Sequence, residues 1–261
     1  ASLHRAGADE IYVLGGVQAL AALALGTESI ARVDLLVGPG NAYVAEAKRQ
    51  LFGEVGIDLL AGPTEILVVA DEHADPAVVA ADLLGQAEHG PDSPAVLITT
   101  SAALAERVRA EVDRRLAELP AGETARAAWR DHGAIHVVDS REAAALLADE
   151  HAFEHVEILA EEPRWFLERM RNYGALFLGE GTTVAYGDKT IGTNHVLPTA
   201  GAARYSGGLW VGKYLKTVTH QEVRSPEATV QIGEICARQC RVEGFEAHAR
   251  SCDARVAKLS A

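Results

Sequence analysis

Apolar residues fall in short runs whose period alternates along the first two thirds of the chain. "EIYVLGG" (10–16) has the continuous apolar character of a strand feeding a turn, and "VQALAALALG" (17–26) that of an apolar helix. "RVDLLVGPGN" (32–41) predicts strand then turn, and "AYVAEAKRQLFG" (42–53) predicts a helix stopped by Gly53. In "GIDLLAGPTEILVVAD" (56–71) two apolar runs flank Gly62-Pro63. "PAVVAADLLGQAEH" (76–89) reads as a helix with proline at its start, where proline is tolerated. A strand at "AVLITT" (95–100) and a long amphipathic helix at "AALAERVRAEVDRRLAEL" (102–119) follow. Further strands are expected at "AIHVVD" (134–139), "HVEILA" (155–160) and "ALFLGE" (175–180), with a helix at "REAAALLADE" (141–150).

Apolar strands alternating with helices predict an α/β body: a Rossmann-like, mainly parallel sheet covered on both faces. From Gly181 to Pro198 the chain turns rich in Gly, Thr and Asn, and "RYSGGLWVGKYLKTVTHQEV" has a different texture again. A long helical stretch is expected from about Pro226 to Lys258. The boundary is placed near residue 200, between a body of residues 1–200 and a helical tail, 201–261, that need not pack on its own body.

Charge narrows the function. Among 261 residues, 37 acidic and 24 basic side chains give a net charge of −13, which repels a phosphate backbone unless a basic stripe opposes it. The densest basic stretch, "RVRAEVDRRL" from Arg107, interleaves acids at helical spacing and reads as a solvated face, so nucleic acid is not an expected partner. Neither a membrane span nor a signal peptide is legible, and a cytoplasmic protein is expected. Cys236, Cys240 and Cys252 are odd in number and form no CxxC motif, which argues against a disulfide framework.

Four groups of residues have chemistry to offer. Glycines at 15–16 and in "GPGN" (38–41) lie where a strand feeds a helix, so free backbone N–H groups there suit phosphate, although tight βα turns need glycine without any ligand. Gln86 and His89, three apart, share one helix face, either as two ligands or as solvated residues at a helix end. Glu154 beside His155 pairs an acid with a base at a strand's mouth. The loop "YGDKTIGTNHVLPT" (186–199) gathers Asp188, Asn194 and His195, and the tail carries Glu243 and His248 five apart around Gly244.

Taken in order, "GGVQAL", "GTESIARVDLLVGPGNAYVAEAKRQ", "GIDLLAGPTEILVVAD", "DLLGQAEHGPDS", "EHVEI", "GDKTIGTNHVLPT" and "EGFEAH" resemble the histidinol dehydrogenase family along nearly the whole chain. The resemblance implies zinc held by Gln86, His89, Asp188 and a His248 supplied by the other subunit of a domain-swapped homodimer. It implies Glu154 and His155 as acid–base pair, Thr64, His195 and Glu243 as substrate contacts, and Gln18 and Asn41 as contacts to NAD. The expected reaction is the four-electron oxidation of a primary alcohol through an aldehyde to a carboxylate, with L-histidinol as type substrate in histidine biosynthesis. The family also carries an N-terminal portion ahead of the point matched by residue 1. Thr64 stands where Ser is usual and Phe153 where Pro is common. The stretches from Tyr186 to Thr217 and "HARSCDARVAK" resemble sulfopropanediol dehydrogenase-like paralogues more closely, and Lys189, Arg204 and Arg250 offer charge for an anionic group on such a sulfonated diol. A nucleotide-binding module without catalysis and a metal-dependent hydrolase using Glu154 and His155 are the other readings.

Overall fold

The computed structural model describes residues 1–120 and 122–260. They form two compact units, residues 1–214 and 215–261. The division falls beyond the expected residue 200: Ala203 is buried, and the Leu209 N–H donates to the Val196 carbonyl at 2.8 Å. Residues 201–214 therefore fold with the body.

In chain order the elements are α1 (Ser2–Arg5), α2 (Gly16–Leu25), β1 (Leu35–Leu36), α3 (Ala42–Leu51), β2 (Gly56–Ile57), β3 (Ile66–Ala70), α4 (Pro76–Ala87) and β4 (Ala95–Thr99). There follow α5 (Ala102–Glu118), α6 (Glu123–His132), β5 (Gly133–Val137), α7 (Arg141–His151), β6 (His155–Leu159), α8 (Pro163–Leu167), β7 (Ala175–Leu178) and α9 (Val184–Tyr186). Helices α10 (Pro226–Val242) and α11 (Glu246–Ser260) make up the second unit's regular structure.

The main sheet is wholly parallel, in the order β5-β4-β3-β6-β7. The chain builds outward from β3, then returns to lay β6 against β3's other side, which is the doubly wound pattern. Burial on both faces explains the largely uninterrupted apolar runs in β3 and β4. Ile66, Val68 and Leu97 meet α4, α5 and α6 on one face, while Leu67, Val69, Ile98 and Ile158 meet α7 and α8 on the other. Caps mark the helix starts as side-chain chemistry requires: Asp75 accepts from the Ala77 N–H, Ser101 from Leu104 and Ser140 from Ala143.

Three expectations are corrected. Residues 10–16 form no strand, and Ile11, Tyr12, Val13 and Leu14 stay exposed with no neighbouring strand to pair their backbone. The run at 32–41 pairs only through Leu35 and Leu36, against β2. The long tail helix is two helices, because Gly244 adopts φ +80° and the chain reverses there. Helices α6 and α8 were not expected from the apolar pattern. No helix among the described residues is long and apolar enough to cross a membrane.

Gly174, at the entry to β7, lies against the backbone of Glu154: a Cβ there would come within 2.6 Å of the Glu154 carbonyl oxygen. Gly174→Ala is expected to cost about 1–3 kcal/mol through overpacking. Thermal or urea unfolding checks this, and a change below about 0.5 kcal/mol contradicts the close contact.

Candidate active site

Strands β3 and β6 are parallel neighbours with Ile66 opposite His155, so the residues just before them meet at one mouth of the sheet. There the Glu65 N–H donates to Glu154 Oε2 at 3.2 Å, and the Glu154 N–H donates to Glu65 Oε1 at 3.1 Å. Each acid thus binds the other's backbone. Burial is the main reason both carboxyls hold their protons, Glu154 up to about pH 8 and Glu65 up to about pH 7.

Helix α4 brings Gln86 to this mouth from below. The buried Gln86 donates through Nε2 to Thr64 Oγ1, and the Thr64 hydroxyl donates onward to Glu154 Oε2 at 2.6 Å. His155, also buried, places Nδ1 3.1 Å from the Glu65 carbonyl oxygen and 3.5 Å from Glu154 Oε2. The carbonyl can only accept, so Nδ1 carries the proton and Nε2 keeps its lone pair. Burial also lowers the pKa of His155, which holds the ring neutral at neutral pH.

Thr64, Glu154 and His155 open on one cavity of about 990 Å³, whereas the buried Gln86 and Glu65 lie outside its lining. Thr64, His89, Glu154, His155, Asp188 and His195 all line it, and so does Asn41. The loop 186–199 was expected to carry site residues, and it does form one wall. Gly62, opposite, is tied to that wall by its N–H to Thr199 Oγ1 at 2.5 Å. Gln18 is not brought in: it lies exposed on the first turn of α2, outside the lining. Glu243 and His248 belong to the second unit, where Glu243 caps α10 and His248 sits on α11 with its ring 5.5 Å from that of Phe245.

The donor set fits zinc: His89 offers an imidazole, Asp188 a carboxylate, and Gln86 its amide oxygen because the amide nitrogen is committed to Thr64. Asp188 and His89 both act electrostatically on His155. The loop 38–41 fits a cofactor. Asn41 caps α3 by accepting from the Val44 N–H at 3.2 Å, which leaves its amide nitrogen to donate, and the helix start lines the cavity.

Sequence reasoning missed Glu65, although an acid at a strand's mouth beside Thr64 was a usable signal. It also missed Lys48 and Asp58. The buried Lys48 ammonium meets Asp58 Oδ1 at 2.5 Å and also donates to the Gly38 carbonyl, while Asp58 Oδ2 accepts from the Gly38 N–H at 2.8 Å. Both backbone groups of Gly38 are therefore held, at φ +134°, by an ion pair whose members lie ten and twenty residues further along the chain. Of the basic residues considered for an anionic substrate, Arg204 donates to the Glu150 carbonyl and Arg250 to Glu246 at 3.0 Å. Lys189 remains exposed, 3.8 Å from Asp188.

Glu154 binds its proton more tightly folded than unfolded. Its contribution to stability is full below its ordinary pKa of 4.5 and is lost as pH rises towards about 8. In metal-free protein, Glu154→Gln should therefore gain stability relative to wild type as pH rises from about 5 to 8. Melting curves across that range check it, and a gap that stays constant with pH argues against the raised pKa.

Comparison with known proteins gives the family. Residues 1–256 match the family model described as histidinol dehydrogenase. The chain is 61% identical over 255 residues to the "Histidinol dehydrogenase homolog" of Shouchella clausii, covering 98% of this chain and 60% of that protein. It is 50% identical over 257 residues to the "Sulfopropanediol 3-dehydrogenase" of Ruegeria pomeroyi, covering 98% and 59%. The crystal structure of histidinol dehydrogenase from Elizabethkingia anophelis superposes with a TM-score of 0.86 at 36% identity, over 99% of this chain and 59% of that one. The chain thus spans about 60% of the length of the first of these relatives.

Proposed function

Because the chain belongs to the histidinol dehydrogenase family, we propose that it carries the zinc, acid–base and part of the NAD site of an enzyme oxidising a primary alcohol to a carboxylate, with L-histidinol as substrate. The observation that carries this reading is the hydrogen-bonded run from Gln86 through Thr64 to Glu154, beside a neutral His155, at a cavity that His89 and Asp188 also line. It couples a ligand position directly to an acid–base position.

On this reading Gln86, His89 and Asp188 hold zinc, and His248 from the tail of a second copy completes the set in a homodimer. Zinc held there would supply Lewis-acid polarisation of the substrate oxygen, and NAD would supply the hydride acceptor. The residues' own work follows from their hydrogen bonds. Nε2 of His155 takes the alcohol proton, since Nδ1 is engaged by Glu65. Glu154, once ionised, takes a proton from the water that adds to the aldehyde, and the Thr64 hydroxyl aims its Oε2. Asn41 and the loop held by Lys48 and Asp58 position NAD. Closing the site with a second chain keeps the aldehyde from bulk water between the two steps.

A sulfonated diol is the second reading, favoured by the likeness to the Ruegeria protein and by the exposed Lys189 ammonium. Against it, Arg204 and Arg250 are engaged elsewhere, and Glu46, Asp92 and Asp188 put carboxylates on the cavity lining. Arg49 on the same lining is already paired with Glu46 at 2.6 Å. An acidic lining suits the cationic amine of L-histidinol better than a sulfonate.

NADH formation with L-histidinol should exceed that with 2,3-dihydroxypropanesulfonate in kcat/KM. The reverse order transfers the assignment to the sulfonate, and no NADH with either alcohol ends the dehydrogenase reading. His89→Ala and His248→Ala chains, each inactive, should recover activity when mixed, through the one intact site of each heterodimer. Continued inactivity after confirmed subunit exchange rules out a shared site.

A further inference from the structure

Beneath the cavity, two carboxyls face each other in the core with nothing cationic between them. Glu157 is fully buried on β6, two residues beyond His155, and Asp82 lies one turn before Gln86 on α4. Each has one satisfied oxygen. Glu157 Oε1 accepts from the Val184 N–H at 3.0 Å, and Asp82 Oδ1 from the Thr183 hydroxyl at 3.0 Å. The remaining oxygens, Glu157 Oε2 and Asp82 Oδ2, are buried without a partner unless they bond each other. The two carboxyls lie close enough for each to act on the other's affinity for a proton.

Two ionised carboxylates cannot share such a site, and one proton resolves both deficits by turning the two orphaned oxygens into donor and acceptor. We infer that Asp82 and Glu157 share a single proton, carried on Glu157 Oε2 and donated to Asp82 Oδ2, and that this pair is a positioning device for the active site. Burial raises the pKa of Glu157 foremost, with the Asp82 charge adding to it, in accord with that placement of the proton.

The pair's value lies in what it joins. Asp82 is on the helix that carries Gln86 and leads to His89, Glu157 is on the strand that begins at His155, and Thr183 and Val184 open the turn that leads to Asp188. Three separate segments of the proposed zinc and acid–base site are thereby tied at one point. Neither residue touches the cavity, so neither is a catalytic residue. The sharing of a proton stands independently of the proposed reaction, whereas the positioning role rests on that reading.

The test uses the intact, zinc-loaded protein with Glu157→Gln, Glu157→Leu and Asp82→Asn/Glu157→Gln. Glutamine mimics the protonated acid, donating to Asp82 and accepting from Val184. Glu157→Gln should therefore keep zinc retention and kcat within about threefold of wild type. Glu157→Leu, which strands Asp82 and the Val184 N–H, should lose about tenfold or more in zinc affinity against a competing chelator. Equal losses in the Gln and Leu variants overturn the proposal. Infrared difference spectra at neutral pH, wild type minus Glu157→Gln, should show loss of a protonated carboxyl stretch that shifts in D2O. Loss of a carboxylate band instead also overturns it. The infrared result needs neither zinc nor substrate, so it separates failure of the shared proton from failure of the proposed reaction. If Glu157→Leu does not fold, the Gln variant and the spectra still decide.

Discussion

The reciprocal bonds between Glu65 and Glu154 are the constraint on which the site depends. Two neighbouring parallel strands begin with acids, and each acid's carboxyl accepts the other's backbone N–H. Buried carboxylates would be costly, yet protonated ones with N–H partners are tolerable, so the mouth of β3 and β6 is held by groups that keep their protons. Once those two residues are fixed, Thr64 and His155 beside them have little freedom. The Thr64 hydroxyl then points at Glu154, and the His155 ring turns its protonated nitrogen to the Glu65 carbonyl.

This mouth lies at the amino ends of the strands. Doubly wound sheets usually receive ligands at the carboxyl ends, where the strand order reverses. Here the α4 helix changes the geometry, because Gln86 near its C-terminus returns to where β3 begins. Two further loops, 38–41 and 186–199, complete the cavity from outside the sheet. The sheet therefore acts as a frame whose lower rim, rather than its upper one, supports the polar groups.

Most of the body was legible because its strands are buried on both faces and its helices carry an apolar stripe, so the two periods separate clearly. The places where the reading failed share a cause. A strand at 10–16 needs a neighbour that the apolar pattern does not supply, and the break at Gly244 depends on one residue's positive φ inside an otherwise helical pattern. The family motifs located Gln86, His89, Glu154, His155 and Asp188, and the fold gathers the regions that carry them. Lys48 with Asp58 and Asp82 with Glu157 escaped notice because each pair meets only in three dimensions, and each member alone looks like an ordinary polar residue.

The reversal at Gly244 has a consequence for the tail. On an unbroken helix, residues five apart stand about 140° apart around the axis, so Glu243 and His248 could not both serve one small target. Ending α10 at Val242 and starting α11 at Glu246 removes that rotational coupling and leaves both residues flanking a single turn. Their relative aim is then a property of the few residues in the turn rather than of the helices. Altering that turn by one residue would re-aim one side chain against the other without disturbing either helix, so this short segment can change their relative aim while the scaffold stays unchanged.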